Sequence, residues 1–367
     1  MRLDWMKKVS PIGLDIGARR IKAVQLLHGR LGTSVRAVAN FPRLNAGTQL
    51  DEAEIRRVVE VLSRRSFAGA EVVIATPLEK QITATLELPP ITSGISLDPI
   101  ARAEFSRSQK CEPGSFELAF WKLPAATRAT KNTDVMAIGC LHVDSEALID
   151  MMAVHGLEVI GLDAHSTALA RGVADQIAPT DEIVVMVELG WTCAALVILY
   201  RGIVIYERVL GDSGLKSLYQ IIESTMKIDA NMVDCVLTNS GLRREEVDPT
   251  RSVTEVATDS AAAIPSAFRH DVRMVLTSHL QGIFEEIQES VSYTSHRYPD
   301  ATVNRLLLTG GGAMISGIEE FMTEMAGMVV QIGRPVGVDS SDPVIARECD
   351  AGVVLAGGLA NCHQENS

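Results

Sequence analysis

Aromatic residues make up only 4% of the 367-residue chain, too little for the base-stacking platform of a single-stranded nucleic-acid binder. Basic charge is also short: 34 lysines and arginines stand against 46 aspartates and glutamates, a net charge of −12. That balance offers no overall attraction to nucleic acid or anionic lipid. Six cysteines stand singly at 111, 140, 193, 235, 349 and 362, without a Cys-x-x-Cys pair, so zinc and dithiol redox chemistry find no support. Scattered single thiols fit a reducing, cytoplasmic setting. The histidines are scattered too, and no His-Glu-x-x-His occurs. Long hydrophobic runs are missing: the most apolar stretch, AALVILY at Ala194–Tyr200, falls far short of the ~20 residues that cross a bilayer. The opening MRLDWMKKVS has no apolar core or cleavage site and reads as a frayed tail.

What remains is an ordinary globular composition, 47% hydrophobic and 22% charged, on a chain long enough for two or more domains. The pattern opens with IGLDIG, an apolar run broken by Asp15 and Gly17, followed by RIKAVQLL and LGTSVRAVANFP as a second and third strand. LDEAEIRRVVEVLSRR reads as a helix capped by Asp51, and AEVVIATP as a buried strand. A unit of different texture follows. It comprises the strand QITATLELPP, the helix SLDPIARAEFSRSQKC, the strands FELAFWKL and VMAIGCLH, the helix DSEALIDMMAVHG capped by Asp144, and a last strand LEVIGLD. The polar PAATRATKNTD reads as a loop, and RREEVD and DSSDPVIAREC as solvated surface.

The opening arrangement then returns. DEIVVMVELGWTCAALVILYRGIVIYERVL repeats strand, acid-plus-glycine turn, strand, glycine turn, strand, which reads as an internal duplication. Helices follow in GDSGLKSLYQIIESTM and DANMVDCVLTN, and in a long helix from Asp271 with Val272, Val275, Leu276, His279, Leu280, Ile283 and Ile287 on one face. VNRLLLTGGGAMISGIEEFMTEMAG reads as a buried strand, a triple glycine and a helix from about Ile315, and DAGVVLAGGLAN as a closing small-residue helix.

Three glycine turns, DIG, ELG and TGGGAM, each follow an apolar strand, and two carry an acid. Glycine admits a phosphate to backbone N–H groups, and carboxylates hold magnesium, usually through water. Two such hairpins facing one another would clamp a Mg-triphosphate, with the triple glycine under the nucleoside. A lone Asp-x-Gly would be read as a plain turn; three in order, with duplicated strands, would not.

With these motifs the sequence resembles the actin and sugar-kinase superfamily and, within it, the PilM family of type IV pilus assembly proteins, relatives of FtsA. The resemblance runs through IGLDIGARRIKAVQL, LPPITSGISLDPIARAEFSRSQKCEPGSFELAFWKL, VMAIGCLHVDSEALIDMMAVHGLEVIGLDAHSTALAR, ELGWTCAALVILYRGIVIYERVLGDSG and LLLTGGGAMISGIEEFMTEMAG. It implies an α/β, actin-like (ribonuclease H-like) two-domain fold with a nucleotide cleft. A first domain would comprise 10–75, 160–180 and 335–362, an inserted FtsA/PilM-type subdomain 76–160, and a second domain 181–334.

The resemblance also implies the site. Asp15 takes the place of the first phosphate-loop acid, holding Mg2+ through water, with Gly17, Ala18 and Arg19 at the β/γ-phosphates. Glu188 takes the place of the second acid, where aspartate is usual, followed by Gly190, Trp191 and Thr192; Trp191 replaces a small residue. Gly310, Gly311 and Gly312 match the adenosine motif, with Met314 against the base. Gly211, Ser213 and Gly214 precede a helix facing the nucleotide. Asp163 would orient an attacking water or else cap the helix HSTALAR. Arg19 would touch phosphate or solvent, Arg20 solvent. The implied function is a cytoplasmic scaffold that binds ATP and grips the amino-terminal tail of an inner-membrane PilN-type partner near 76–160, peripheral to the membrane through that partner, with ATPase turnover slow at most. Self-association is open. A sugar or acid kinase and an FtsA-like filament former are the alternatives; the ending LAGGLANCHQENS offers no amphipathic membrane helix.

Overall fold

The computed structural model describes residues 8–30, 32–47, 50–90, 95–126, 132–177, 181–243, 266–338 and 343–362. Residues 1–7 and 363–367, the centre of the polar loop after 126, almost all of RREEVD and the first residues of DSSDPVIAREC lie outside them, while Lys8–Ser10 of the opening stretch read as a frayed tail belong to the first strand.

The first sheet begins with an antiparallel meander of β1 (Lys8–Ile16), β2 (Arg20–Gly29) and β3 (Gly32–Pro42). Helix α1 (Glu52–Arg64) follows, its first turn capped by Asp51, which accepts the Glu54 N–H at 2.9 Å. Ile55, Val58 and Leu62 repeat at helical spacing and face the sheet. The chain returns as β4 (Glu71–Ala75), parallel to β1. Arg43 and Glu54, both almost wholly buried, pair at 2.9 Å and fix the corner between β3 and α1.

The chain then leaves this sheet. β5 (Gln81–Leu88), β6 (Phe116–Lys122) and β7 (Thr133–Leu141) form a separate sheet in the order β5-β7-β6, covered by α2 (Leu97–Gln109) through Phe105 and Phe116. Helix α3 spans His142–Val154, two residues earlier than read from Asp144, whose carboxylate pairs with Lys80 instead of capping. The strand LEVIGLD does not close the inserted unit: β8 (Glu158–Asp163) runs parallel to β4 and completes a first sheet of order β3-β2-β1-β4-β8. Met152 of α3 is buried with Ile12, Ile55 and Val72, so this helix already packs on the first sheet.

After α4 (His165–Gly172) the meander repeats as β9 (Glu182–Leu189), β10 (Ala194–Tyr200) and β11 (Ile203–Leu210). Helices α5 (Leu215–Met226), α6 (Ala230–Asn239) and α7 (Ser266–Arg297) follow, then β12 (Thr302–Thr309), α8 (Ile318–Ala326) and β13 (Val329–Ile332). The second sheet has the order β11-β10-β9-β12-β13, the same topology as the first. The long helix buries Val272, Leu276, Leu280, Ile283 and Ile287, the stripe read from sequence. Two corrections apply here: α8 starts at Ile318 rather than Ile315, and 343–348 of the supposed surface loop form a short helix, α9. The closing α10 (Val354–Ala360) is buried along its whole length against α4, β1 and β2.

Candidate functional site

The two hairpins close in the same way. Ile16 faces Ile21 and Leu189 faces Ala194, so residues 17–20 and 190–193 form matching turns at the ends of β1 and β9. An added Cβ at Gly17 would lie 2.9 Å from the Arg20 carbonyl, and at Gly190 2.6 Å from that of Cys193, so both turns require glycine. Asp15 and Glu188 stand at equivalent places, each next to last in its strand.

Neither acid is left to bind alone. Lys22 lies directly across the ladder from Asp15, and its Nζ sits 2.8 Å from the carboxylate. Burial would strip the proton from this lysine, but the charges of Asp15 and then Glu188 reverse that and hold its pKa above the ordinary value. Across from Glu188 the two ladders offer only Ala195 and Thr309, neither of them a cation. The cation comes instead from the first residue of α4: His165 Nε2 lies 2.8 Å from the Glu188 carboxylate, both side chains largely buried. Burial disfavours both charges, yet each holds the other, raising the His165 pKa and lowering that of Glu188, with Lys22 assisting the latter. Lys22 was not singled out in the sequence, and His165, without ligand spacing, was read as structural. Hairpin register would have found the first; the second arrives from the connection between the two sheets.

Arg19 turns into the molecule rather than to solvent. It reaches across to the second half of the molecule and forks onto Asp234 of α6 at 3.0 and 2.6 Å. Its guanidinium lies 4.5 Å from the Trp191 ring centroid and 4.9 Å from that of Tyr219, the two rings meeting edge to face, and the Tyr219 hydroxyl donates to Asp234. The bulky Trp191 is therefore the shelf on which Arg19 rests. Arg20 turns back to Asn40 in its own sheet. Replacing Arg19 by alanine removes a half-exposed bridge, so stability changes little. Hydrogen exchange in α5 and α6 should rise as the cleft loosens; unchanged exchange there would show that the bridge does not hold the two halves together.

The other candidates divide. The first N–H groups of α5 are spent on the second turn: Leu215 donates to the Gly190 carbonyl at 3.0 Å and Lys216 to that of Trp191 at 2.9 Å. Gly214 packs against the Thr192 carbonyl, while Thr192 and Gly211 are exposed. Gly310, at φ +78°, leaves no room for a Cβ beside Glu188 and Leu189, and Gly312 abuts Leu189. Gly311 has open space, and Met314 is 43% exposed. The Gly310 N–H donates to Ala351 at 3.0 Å, joining the triple glycine to the closing segment. There Asp350, raised in pKa by burial against the pull of the Gly352 N–H, Lys22 and Arg20, adds an acid the sequence reading passed over. Ala18 accepts the Gly47 N–H through its carbonyl. Asp163 ends β8 and is engaged by Arg171 and, at 3.1 Å, by the Thr167 hydroxyl. Burial pushes the Cys193 thiol up to about 11, so the second turn carries no nucleophile.

For a nucleotide the fit is partial. The tight glycine turns and the open face of Gly311 suit a phosphate chain and a nucleoside. For a metal held directly by the protein it is poor: both cleft acids already face a cation, and among the described residues no group of three or more His, Cys, Asp or Glu side chains could hold an ion.

No protein-family model matches the sequence, and no curated protein matches it. Solved structures do. A chain of the PilM-PilN type IV pilus biogenesis complex is 18% identical, with a TM-score of 0.73 over 96% of this chain and 98% of that one. EutJ, an ethanolamine utilization protein from Carboxydothermus hydrogenoformans, is 14% identical, with a TM-score of 0.50 over 96% and 89%. MreB5 of Spiroplasma citri bound to ADP is 12% identical, with a TM-score of 0.50 over 97% and 98%. The fold is accordingly the mixed α/β actin-like ATPase fold with two ribonuclease H-like sheets. Among the described residues no helix is long and apolar enough to cross a membrane.

Proposed function

We propose that this protein is a nucleotide-binding scaffold of a type IV pilus-like assembly machine, working at the cytoplasmic face of the inner membrane. It would grip the amino-terminal tail of a PilN-type membrane partner beside the three-stranded sheet. The observation that carries this reading is end-to-end likeness to the PilM chain of a PilM-PilN complex, well above the likeness to the EutJ and MreB5 structures. In this reading residues 10–75, 158–180 and 335–362 act as one domain, 181–334 as the other, and the β5-β7-β6 sheet inserted between β4 and β8 binds the partner.

The contacts of the inserted sheet support a link between cleft and partner. Trp121 donates its indole N–H to the Val204 carbonyl at 2.7 Å, and Arg297 pairs with Asp134 at 2.6 Å. A change in the angle between the halves therefore moves the sheet that would hold the tail. ATP would lie between the two glycine turns and over Gly310–Gly312, with Lys22 and Arg19 beside its phosphates. Any Mg2+ would be held mainly through phosphate and water, since Asp15 and Glu188 are engaged. Asp163, tied to Arg171, is poorly placed to activate water, which favours tuning over turnover.

Calorimetry with ATP, with and without Mg2+, tests the nucleotide half. Wild type should bind; Lys22→Met should weaken binding tenfold or more, about the loss of one charge-assisted contact, and Asp15→Ala should weaken it only with Mg2+ present. No binding by wild type sinks this half of the proposal, and sugar-dependent ADP release would favour the kinase alternative. A pull-down with a synthetic PilN-type amino-terminal tail tests the other half: retention supports it, and no retention sinks it.

A further inference from the structure

Behind the cleft, between the three-stranded sheet and the second five-stranded sheet, lies a cavity of ≈ 200 Å³. Gln81 and Thr83 of β5 form one side, His165 and Ser166 at the start of α4 another, and Glu207 of β11 a third. Three buried polar atoms of these residues have no hydrogen-bond partner: His165 Nδ1, Ser166 Oγ and Glu207 Oε2. His165 is 6% exposed and Ser166 1%, so bulk water does not serve them. Buried polar groups are almost always paired, and three unpaired ones on a single small cavity mark a place built for a guest.

The chemistry of the guest follows from what each atom needs. His165 spends Nε2 on Glu188, whose charge favours the imidazolium against burial, and in that form Nδ1 is a donor in search of an acceptor. Glu207 spends Oε1 on the Gln81 amide, at 2.5 Å, and on the Thr83 hydroxyl, leaving Oε2 as an anionic acceptor. The neighbouring cation is committed elsewhere, since Arg208 pairs with Glu286 at 3.3 Å and Glu289 at 3.7 Å. The Ser166 hydroxyl can donate or accept. A metal ion would face the His165 cation, a phosphate would face Glu207, and the volume is too small for a nucleotide. A cationic donor beside an uncharged or anionic acceptor satisfies all three atoms.

We infer that this cavity is a ligand site for an α-ammonium group adjacent to a carbonyl, with Glu207 holding the ammonium and His165 and Ser166 the carbonyl oxygen. Two sources carry that chemistry, a free amino acid and the amino terminus of a peptide. The inference stands apart from the nucleotide and pilus readings. It adds that His165 serves both places, one nitrogen on the cleft acid and the other on the ligand.

The test uses the full chain and three probes, glycinamide, N-acetylglycinamide and Gly-Gly-Gly-amide, titrated by calorimetry or by NMR shifts. Glycinamide should bind saturably, and acetylation of its nitrogen should weaken binding about tenfold or more, as loss of a charged contact does. Glu207→Gln keeps an oxygen for Gln81 and Thr83 and should weaken glycinamide to a similar degree. Tighter binding of the tripeptide assigns a peptide terminus; its rejection while glycinamide binds assigns a free amino acid. Equal binding of the acetylated probe, unchanged binding by Glu207→Gln, or no saturable binding of any probe overturns the site. So does a crystal structure, grown with saturating glycinamide, that shows only ordered water in the cavity.

Discussion

Gly358→Ala should abolish most soluble, folded protein, whereas Gly357→Ala, one residue away on the same helix, should be tolerated. The difference is one of clearance. A Cβ on Gly358 would lie 1.7 Å from the Ala168 carbonyl oxygen and 2.8 Å from the Gly172 nitrogen, both backbone atoms of α4. The contact is reciprocal: a Cβ on Gly172 would meet the Val354 carbonyl oxygen of α10 at 2.2 Å. No rotamer change relieves a backbone clash, so the cost should reach or exceed the upper end of the ~1–3 kcal/mol usual for overpacking. At Gly357 the nearest atom, a side-chain carbon of Pro335, is 3.5 Å away, and alanine there gains up to about 1 kcal/mol of helix propensity. Yield and denaturant midpoint of the two variants give the comparison. If Gly358→Ala unfolds like wild type, the close crossing of α4 and α10 is not what sets their positions. The crossing matters beyond stability, because α4 links the two sheets and begins with His165 of the cleft.

Local pattern made much of this architecture legible in advance. The duplicated meander was readable because the same order of apolar strand, acid, glycine and strand occurs twice. Both sheets carry it, with Asp15 and Glu188 in equivalent positions. The stripe on α7 was readable for the same reason: helical spacing needs no partner to be seen. What sequence missed depends on distant packing. Asp144 looked like a cap, but the helix starts earlier and Lys80 takes the carboxylate. LEVIGLD looked like the end of the inserted unit because it follows that unit in the chain, yet β4 is its partner. The bridge from Arg19 to Asp234 was not visible because the two lie 215 positions apart. His165 looked structural for want of metal-ligand spacing, and its role rests on an acid from another sheet.

The balance of charge in the cleft follows from these long-range pairs. Asp15 with Lys22, Glu188 with His165 and Asp234 with Arg19 each bring opposite charges together. Two of the three pairs join different halves of the molecule, so the halves are drawn together by their own side chains. A nucleotide entering between them would exchange internal partners for phosphate, and only the difference in affinity between open and closed forms can shift the angle.

Stability should fall on the alkaline side of about pH 6.5, and Glu188→Gln should remove that fall. His165 has a raised pKa in the fold, so its contribution is complete below its ordinary value of 6.5 and is lost as pH rises through the folded value. Glu188 has a lowered pKa, so its contribution is present above its ordinary value of 4.5 and is lost as pH falls through the folded value. The pair therefore stabilises most between those two ordinary values. Burial works against both charges, and the positive end of α4 disfavours a cation at its first residue while favouring the Glu188 anion beside it. With glutamine at 188 the imidazole loses its main support and sheds its proton, and the alkaline slope flattens. The same change should cost about 3 kcal/mol at about pH 6, the low end of the range for breaking a buried pair, because His165 can go neutral rather than stay charged alone. Denaturant unfolding from about pH 5 to 9 supplies the measurement, with Asp15 and Lys22 left intact so that the neighbouring pair keeps its own charge. An alkaline slope equal in wild type and variant would mean that Glu188 is not what keeps His165 protonated.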